Sequence, residues 1–273
     1  MESLVLTDAM AKDLKVQRPA GTQAIGRALA VLRLLADRGA EVGAATIGAD
    51  LGLSSGTTNR ILRALVVEGL ATQNPKNDTY YLGSGAILLG QAAQRVFGLD
   101  RALPVLEEIS AETQESVNLA VREGGESVVA LRVQSILPLR FEQHPGARFP
   151  LYTTASGKAI LAFSPNAVEY VSSLPRELER LTSSTLGTPD QLQLQLGQTR
   201  ERGYSIDDGE NVAGVCCVGA PVLDSDGRAQ AALVIQAPTI RMPPERVAEL
   251  GARAITGAKE VARFVPIDRV LSR

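Results

Sequence analysis

The chain has 273 residues, 45% hydrophobic and 21% charged, with a net charge of −2; that length and composition point to two domains with a real core. The near-neutral balance excludes a uniformly basic nucleic-acid coat, though not a local reading surface. No apolar run approaches the ~20 residues of a spanning helix, and the adjacent Cys216 and Cys217 cannot build a disulfide framework, so a cytoplasmic protein without a membrane partner is expected.

Residues 1–22 lack the basic start and long apolar stretch of a signal peptide and are expected to form a flexible tail. Helical spacing begins at Ile25, with Ala28, Leu29, Leu32 and Leu35 on one face and Gly39 placed to end the helix. "AATIGADLG" predicts a short second helix, with Ile47 and Leu51 one turn apart. A third follows in "LSSGTTNRILRALV": Ser54 or Ser55 caps it, and Ile61, Leu62, Leu65 and Val66 form its buried stripe. Two β-prone runs, 70–73 and 79–82, flank the turn Asn74-Pro75-Lys76-Asn77-Asp78. Residues 23–83 therefore read as a helix-turn-helix followed by a two-stranded wing.

In such a unit the start of the second helix of the motif enters the DNA major groove. The outward candidates are Ser55, Thr57, Thr58, Asn59, Arg60 and Arg63, with Ser54 at the cap and Lys76 in the wing turn. Arginine grips guanine or phosphate, asparagine pairs with adenine, and hydroxyls bond either partner. The quoted segments, with "IGRALAVLRLLA", "EGL" and "YYLG", resemble the winged helix-turn-helix of the IclR family of bacterial transcription regulators. In that family the recognition helix opens with proline, a basic residue and Ser-Thr before an apolar residue. Here Ser54, Ser55, Gly56, Thr57 and Thr58 stand at those positions; Thr57, Arg60 and the leucine-containing tail match, while the proline and the apolar residue do not.

Residues 84–98, "SGAILLGQAAQRVFG", read as a linking helix whose apolar side needs cover, either from a partner subunit or from the second domain. Residues 99–273 then alternate. "LPVLEEISAETQ" is helical; "SVNLAVREG" turns Val117, Leu119 and Val121 inward; "ESVVALRVQ" is its hairpin partner across Gly124-Gly125. "DSDG" joins the apolar runs of a second hairpin, and Val247, Leu250, Ala254, Ile255, Ala258 and Val261 mark a final helix. The fold class is α+β, an antiparallel sheet with flanking helices. "TTASGKAIL", "RERGYSIDDGENVAGVCCVGAPVLD" and "ALVIQAP" are similar to the IclR-family effector domain, whose fold is related to GAF-type sensors, and the resemblance spans roughly residues 24 to 264.

Several fragments invite catalytic readings. "ASGK" lacks the upstream glycine of a phosphate loop, and Ser156 with Lys158 has the wrong spacing for a Ser-Lys nucleophile. His144 is the only histidine and is expected in a surface loop; Cys216-Cys217 read as strand residues with one thiol buried. Asp207, Asp208 and Glu210 lack an identifiable reacting partner, and Lys158 is expected simply at a helix start. No catalytic residue, metal or cofactor is expected; an enzyme using the C-terminal pocket and a protein–protein adaptor remain as rivals. The resemblance implies instead a small-organic-acid pocket bordered by Ser156, Gly157, Asp207, Cys217, Val234 and Gln236. Family members that bind small oxoacids often carry serines at the last two positions, so Val234 and Gln236 imply a larger, more apolar ligand such as an aromatic acid. The family resemblance also implies operator DNA as partner, a dimer through the N-terminal region, and a tetramer through the effector domains.

Overall fold

A computed structural model describes residues 21–266, so the tail expected over 1–22 lies almost wholly outside the described residues, as do the last seven of 99–273. The chain divides into two compact units, Met1–Ala92 and Ala93–Arg273.

The first unit runs α1 (Gln23–Arg38), β1 (Val42–Gly43), α2 (Ala44–Asp50), α3 (Ser55–Val67), β2 (Ala71–Gln73), β3 (Thr79–Leu82) and α4 (Ser84–Val96), the last straddling the division. Gly39 ends α1 in the left-handed conformation expected of a C-cap glycine. Its core is Val31, Leu35, Ile47, Leu62, Leu65 and Tyr80. The inward face of α1 is thus rotated from the one that spacing suggests: Val31 is buried, whereas Ile25 and Leu29 are exposed. The wing gains a strand too short for sequence patterning to reveal. β1 pairs with β3 through Val42 and Tyr80, giving an antiparallel order β1-β3-β2. Glu41, next to it, accepts hydrogen bonds from Asn74, Asn77 and Thr79 and so ties down the wing turn.

The second unit comprises α5 (Leu99–Thr113), β4 (Ser116–Glu123), β5 (Glu126–Val133), β6 (Arg148–Pro150), a single 3-10 turn (Leu151–Thr153) and α6 (Ala155–Ala162). It continues through α7 (Ala167–Ser173), α8 (Pro189–Arg202), β7 (Ser205–Asp208), β8 (Val215–Leu223), β9 (Ala229–Pro238) and α9 (Pro244–Val261). The strands form one antiparallel sheet in the order β6-β5-β4-β9-β8-β7. Against one face pack α5 and α9, burying Val117, Leu119, Val218, Leu233, Ile235 and Leu250 together. The opposite face is covered as well. Ala159 and Ile160 of α6 pack on Ala232, and Asn118, Ala120 and Arg122 of β4 are almost as inaccessible as their apolar neighbours. Alternation therefore identifies β4 correctly but describes only half of its surroundings.

Candidate functional site

The first surface is the start of α3. Ser54 caps it: its Oγ accepts the Thr57 amide at 3.4 Å and its hydroxyl donates to Thr57 Oγ1 at 3.0 Å. Ser55, Asn59, Arg60 and Arg63 are exposed, Thr57 is half-exposed, and Lys76 stands exposed in the wing turn. Asn59 Nδ2 donates to Ser55 Oγ, and Arg63 Nε to the Asn59 carbonyl, both at 3.4 Å, so these side chains are held only weakly. Among the described residues neither the Arg60 guanidinium nor the Lys76 ammonium has a partner.

Thr58 departs from the expected outward set. Only 1% of it is accessible, and its hydroxyl donates to the Ser54 carbonyl at 3.1 Å. It faces α2, where a Cβ on Gly48 would lie 3.0 Å from Thr58 Oγ1. The residue occupies the family's apolar position and does that position's work at the helix crossing, its hydroxyl satisfied locally as a buried polar group requires. The apolar residue that the family carries at this position was therefore the available signal that Thr58 packs inward.

The second site is a cavity of about 40 Å³ between the start of α6 and the sheet. Register explains its floor. Residues two apart on a strand share a face, and the strand pairings align Ser116–Gln236–Cys217–Asp207 in one cross-strand row. The neighbouring row is Arg132–Asn118–Val234–Gly219–Ser205. Gly219 admits α6: a Cβ there would lie 2.9 Å from the Ala155 carbonyl group. Of the six residues expected at the pocket, Ser156, Asp207, Cys217, Val234 and Gln236 line this cavity, joined by Asn118, Ser127, Gln143 and Asn211.

Gly157 stands apart from the wall. Its amide donates to Thr154 Oγ1 at 3.0 Å, and a Cβ there would come within 2.1 Å of the Leu151 carbonyl oxygen. The glycine closes α6 onto the 3-10 turn, and its N–H is already committed to capping. Ser156 shares a 2.7 Å hydrogen bond with Ser127 and donates to Thr154 at 3.2 Å.

Burial dominates the electrostatics. The Asp207 carboxyl accepts the amides of Glu210 at 2.7 Å and Asn211 at 3.3 Å, yet desolvation pushes its pKa up to about 7 against the pull of Lys158. Lys158 is fully buried, not simply at a helix start; Nζ donates at 2.6 Å to both Glu210 and Gln195. Both thiols are buried, not one alone; burial pushes the Cys216 thiol up to about 12 and raises the Cys217 thiol well above its ordinary value, so both remain protonated. His144 is exposed in its loop. Among the described residues no group of three His, Cys, Asp or Glu is placed to hold a metal ion.

The two sites coincide with two family matches. The IclR helix-turn-helix domain matches residues 24–75, and the bacterial transcriptional regulator IclR C-terminal domain matches residues 92–263. The acetate operon repressor of Salmonella typhimurium is 32% identical over 244 residues, 88% of each chain. The crystal structure of the Thermotoga maritima IclR shares 28% identity and a TM-score of 0.72, over 88% of this chain and 97% of that one. An IclR homolog from Microbacterium hydrocarbonoxydans, solved complexed with 4-hydroxybenzoate, has the same fold at a TM-score of 0.77 and 23% identity, over 88% and 99% of the two chains. The chain belongs to the IclR family of bacterial transcriptional regulators, binding DNA through its helix-turn-helix and carrying an effector-binding domain behind it.

Proposed function

We propose that the protein is a cytoplasmic repressor, acting by binding and not by turnover, whose operator affinity is set by an organic acid taken into the cavity beneath α6. Five side chains from α6, β7, β8 and β9 converge on that one volume, and this convergence carries the reading. The wall combines Val234, Val129, Ala120 and Phe149 with polar side chains such as Asn118, Ser156 and Gln236, a mixture that suits a small molecule with an apolar body and a polar group. The Microbacterium relative's complex with 4-hydroxybenzoate is in keeping with an aromatic acid. About 40 Å³ holds roughly two or three waters, so an aromatic acid enters only with movement of the wall. Ser54, Ser55, Thr57, Asn59, Arg60, Arg63 and Lys76 are the proposed DNA contacts, without Thr58. Paired half-sites require a dimer at least, and the family resemblance supports a dimer of dimers.

Selection of genomic fragments by the purified protein, followed by a thermal-shift panel of acids suggested by the neighbouring genes, tests this reading. The expected result is salt-sensitive, sequence-selective DNA binding and a larger shift with aromatic acids than with two- or three-carbon oxoacids. Preference for the oxoacids refutes the aromatic class, and sequence-indifferent binding refutes the operator assignment.

A further inference from the structure

One cation beside the cavity has no carboxylate among its hydrogen-bond partners. Arg132 of β5 donates from Nη1 to Asn118 Oδ1 at 3.0 Å, Gln143 Oε1 at 3.2 Å and Gln236 Oε1 at 2.9 Å. Its Nη2 donates to Ser116 Oγ at 3.3 Å and the Phe141 carbonyl at 2.5 Å. All five acceptors are neutral, and the buried Nε has no partner. Glu142 is near, but its carboxylate is engaged by Gln134 and Arg140 instead. Two other partly covered arginines are paired with carboxylates. Arg241 grips Glu115 with two hydrogen bonds, at 2.7 and 2.6 Å, and Arg253 pairs with Glu112 at 2.5 Å. Arg122 also lacks a carboxylate, yet its Nε is satisfied by the Gly124 carbonyl and its guanidinium lies over the Tyr170 ring.

A half-buried guanidinium left among neutral amides keeps its desolvation cost unbalanced, and an incoming anion would relieve it. The three amides on Nη1 are also the three amide side chains that reach the cavity from the β5 side: Asn118, Gln143 and Gln236. Nη1 carries only two hydrogens, so three acceptors overfill it. Asn118 and Gln236 sit on the paired strands β4 and β9, whereas Gln143 lies between β5 and β6, outside any helix or strand.

We propose that Arg132 is the receptor for the effector's carboxylate, the anion displacing the Gln143 amide from Nη1 and laying its apolar body over Ala120 and Val234. The proposal rests on reading the cavity as the effector site. It puts the anion on the sheet side of the cavity and not on the Gly157 amide, which caps α6.

Calorimetry on the full chain tests this with benzoate, phenylacetate and pyruvate, each aromatic acid paired with its uncharged amide. Wild type is expected to bind at least one carboxylate in preference to its amide. Arg132→Gln should weaken that carboxylate roughly 10- to 100-fold, the range of a lost charge-assisted hydrogen bond, while leaving the amide within about threefold. Arg132→Lys, which keeps the charge but not the planar fork, should recover part of the loss. Undiminished carboxylate binding by Arg132→Gln, or equal losses for acid and amide, overturns the proposal. Should Arg132→Gln not melt cooperatively, undiminished binding by Arg132→Lys overturns it in the same way. Val234→Trp, which fills the cavity, separates the two claims. If it abolishes binding while Arg132→Gln does not, the receptor assignment falls and the cavity assignment stands; if binding survives it, or no carboxylate binds wild type, both fall.

Discussion

Arg60 is exposed, unpartnered and nearly two turns inside the cap of α3, so removing its side chain should touch DNA and little else. Arg60→Ala is expected to weaken operator binding by about 1–3 kcal/mol if the guanidinium grips a base, with thermal stability changed by less than about 0.5 kcal/mol; an anisotropy titration paired with a melting curve checks both. Asp207 makes a prediction in pH. Its pKa is raised from 3.8 to about 7 by burial, so between those values the folded state holds a proton that the unfolded state has lost. That contribution to stability is complete at low pH and declines as pH rises through this window, by at most about 1.4 kcal/mol per pH unit. Asp207→Asn keeps an oxygen acceptor for the Glu210 and Asn211 amides but cannot ionise. Urea unfolding from pH 4 to 8 should show a flatter profile for the variant and a stability advantage at pH 8. Parallel profiles would show that Asp207 titrates normally.

At the level of elements, α6 depends on Gly157. With the Leu151 carbonyl oxygen 2.1 Å from the position of a Cβ, and backbone rather than a pliant side chain in the way, Gly157→Ala must push α6 off the 3-10 turn. A loss of about 3 kcal/mol or more is expected, at the upper end of overpacking costs, read as a lower urea midpoint. Loss of ligand binding without loss of stability would instead put Gly157 in the recognition surface. Most elements were legible from local pattern. The stripe of α3, the Gly124-Gly125 turn and the Asp-Ser-Asp-Gly hairpin all rest on neighbours within a few residues. β1 was not, because two residues carry no period and become a strand only through pairing with Tyr80.

For the whole molecule, α4 buries none of its residues, and Ile87, Leu88 and Leu89 are 61%, 65% and 63% exposed. Three adjacent apolar residues left in water favour self-association. Leu88→Asp is expected to shift the protein toward monomer in sedimentation velocity and to weaken binding to a paired site more than to a single half-site; an unchanged oligomer places the dimer contact elsewhere. Ligand then acts by differential binding, with a coupling of about 1–3 kcal/mol between cavity and operator in a typical case.

Helices, hairpins, the Ser54 cap and family membership follow from residues close together along the chain, because capping, turn chemistry and hydrophobic period are short-range physics. Long-range assembly decided which side chains meet. Alternation in β4 showed one buried face; the other became interior where Gln143 meets Asn118 and where Ser164, Asn166 and Tyr170 close over Arg122. Lys158 was one more polar residue at a helix start until Glu210, 52 positions on, met it in the core. Arg132 drew no notice because its setting is built from Ser116, Phe141, Gln143 and Gln236, brought to one guanidinium by the order of β5, β4 and β9. Whether a buried charge is paired depends on all its neighbours at once, and those are chosen by strand order, not by spacing.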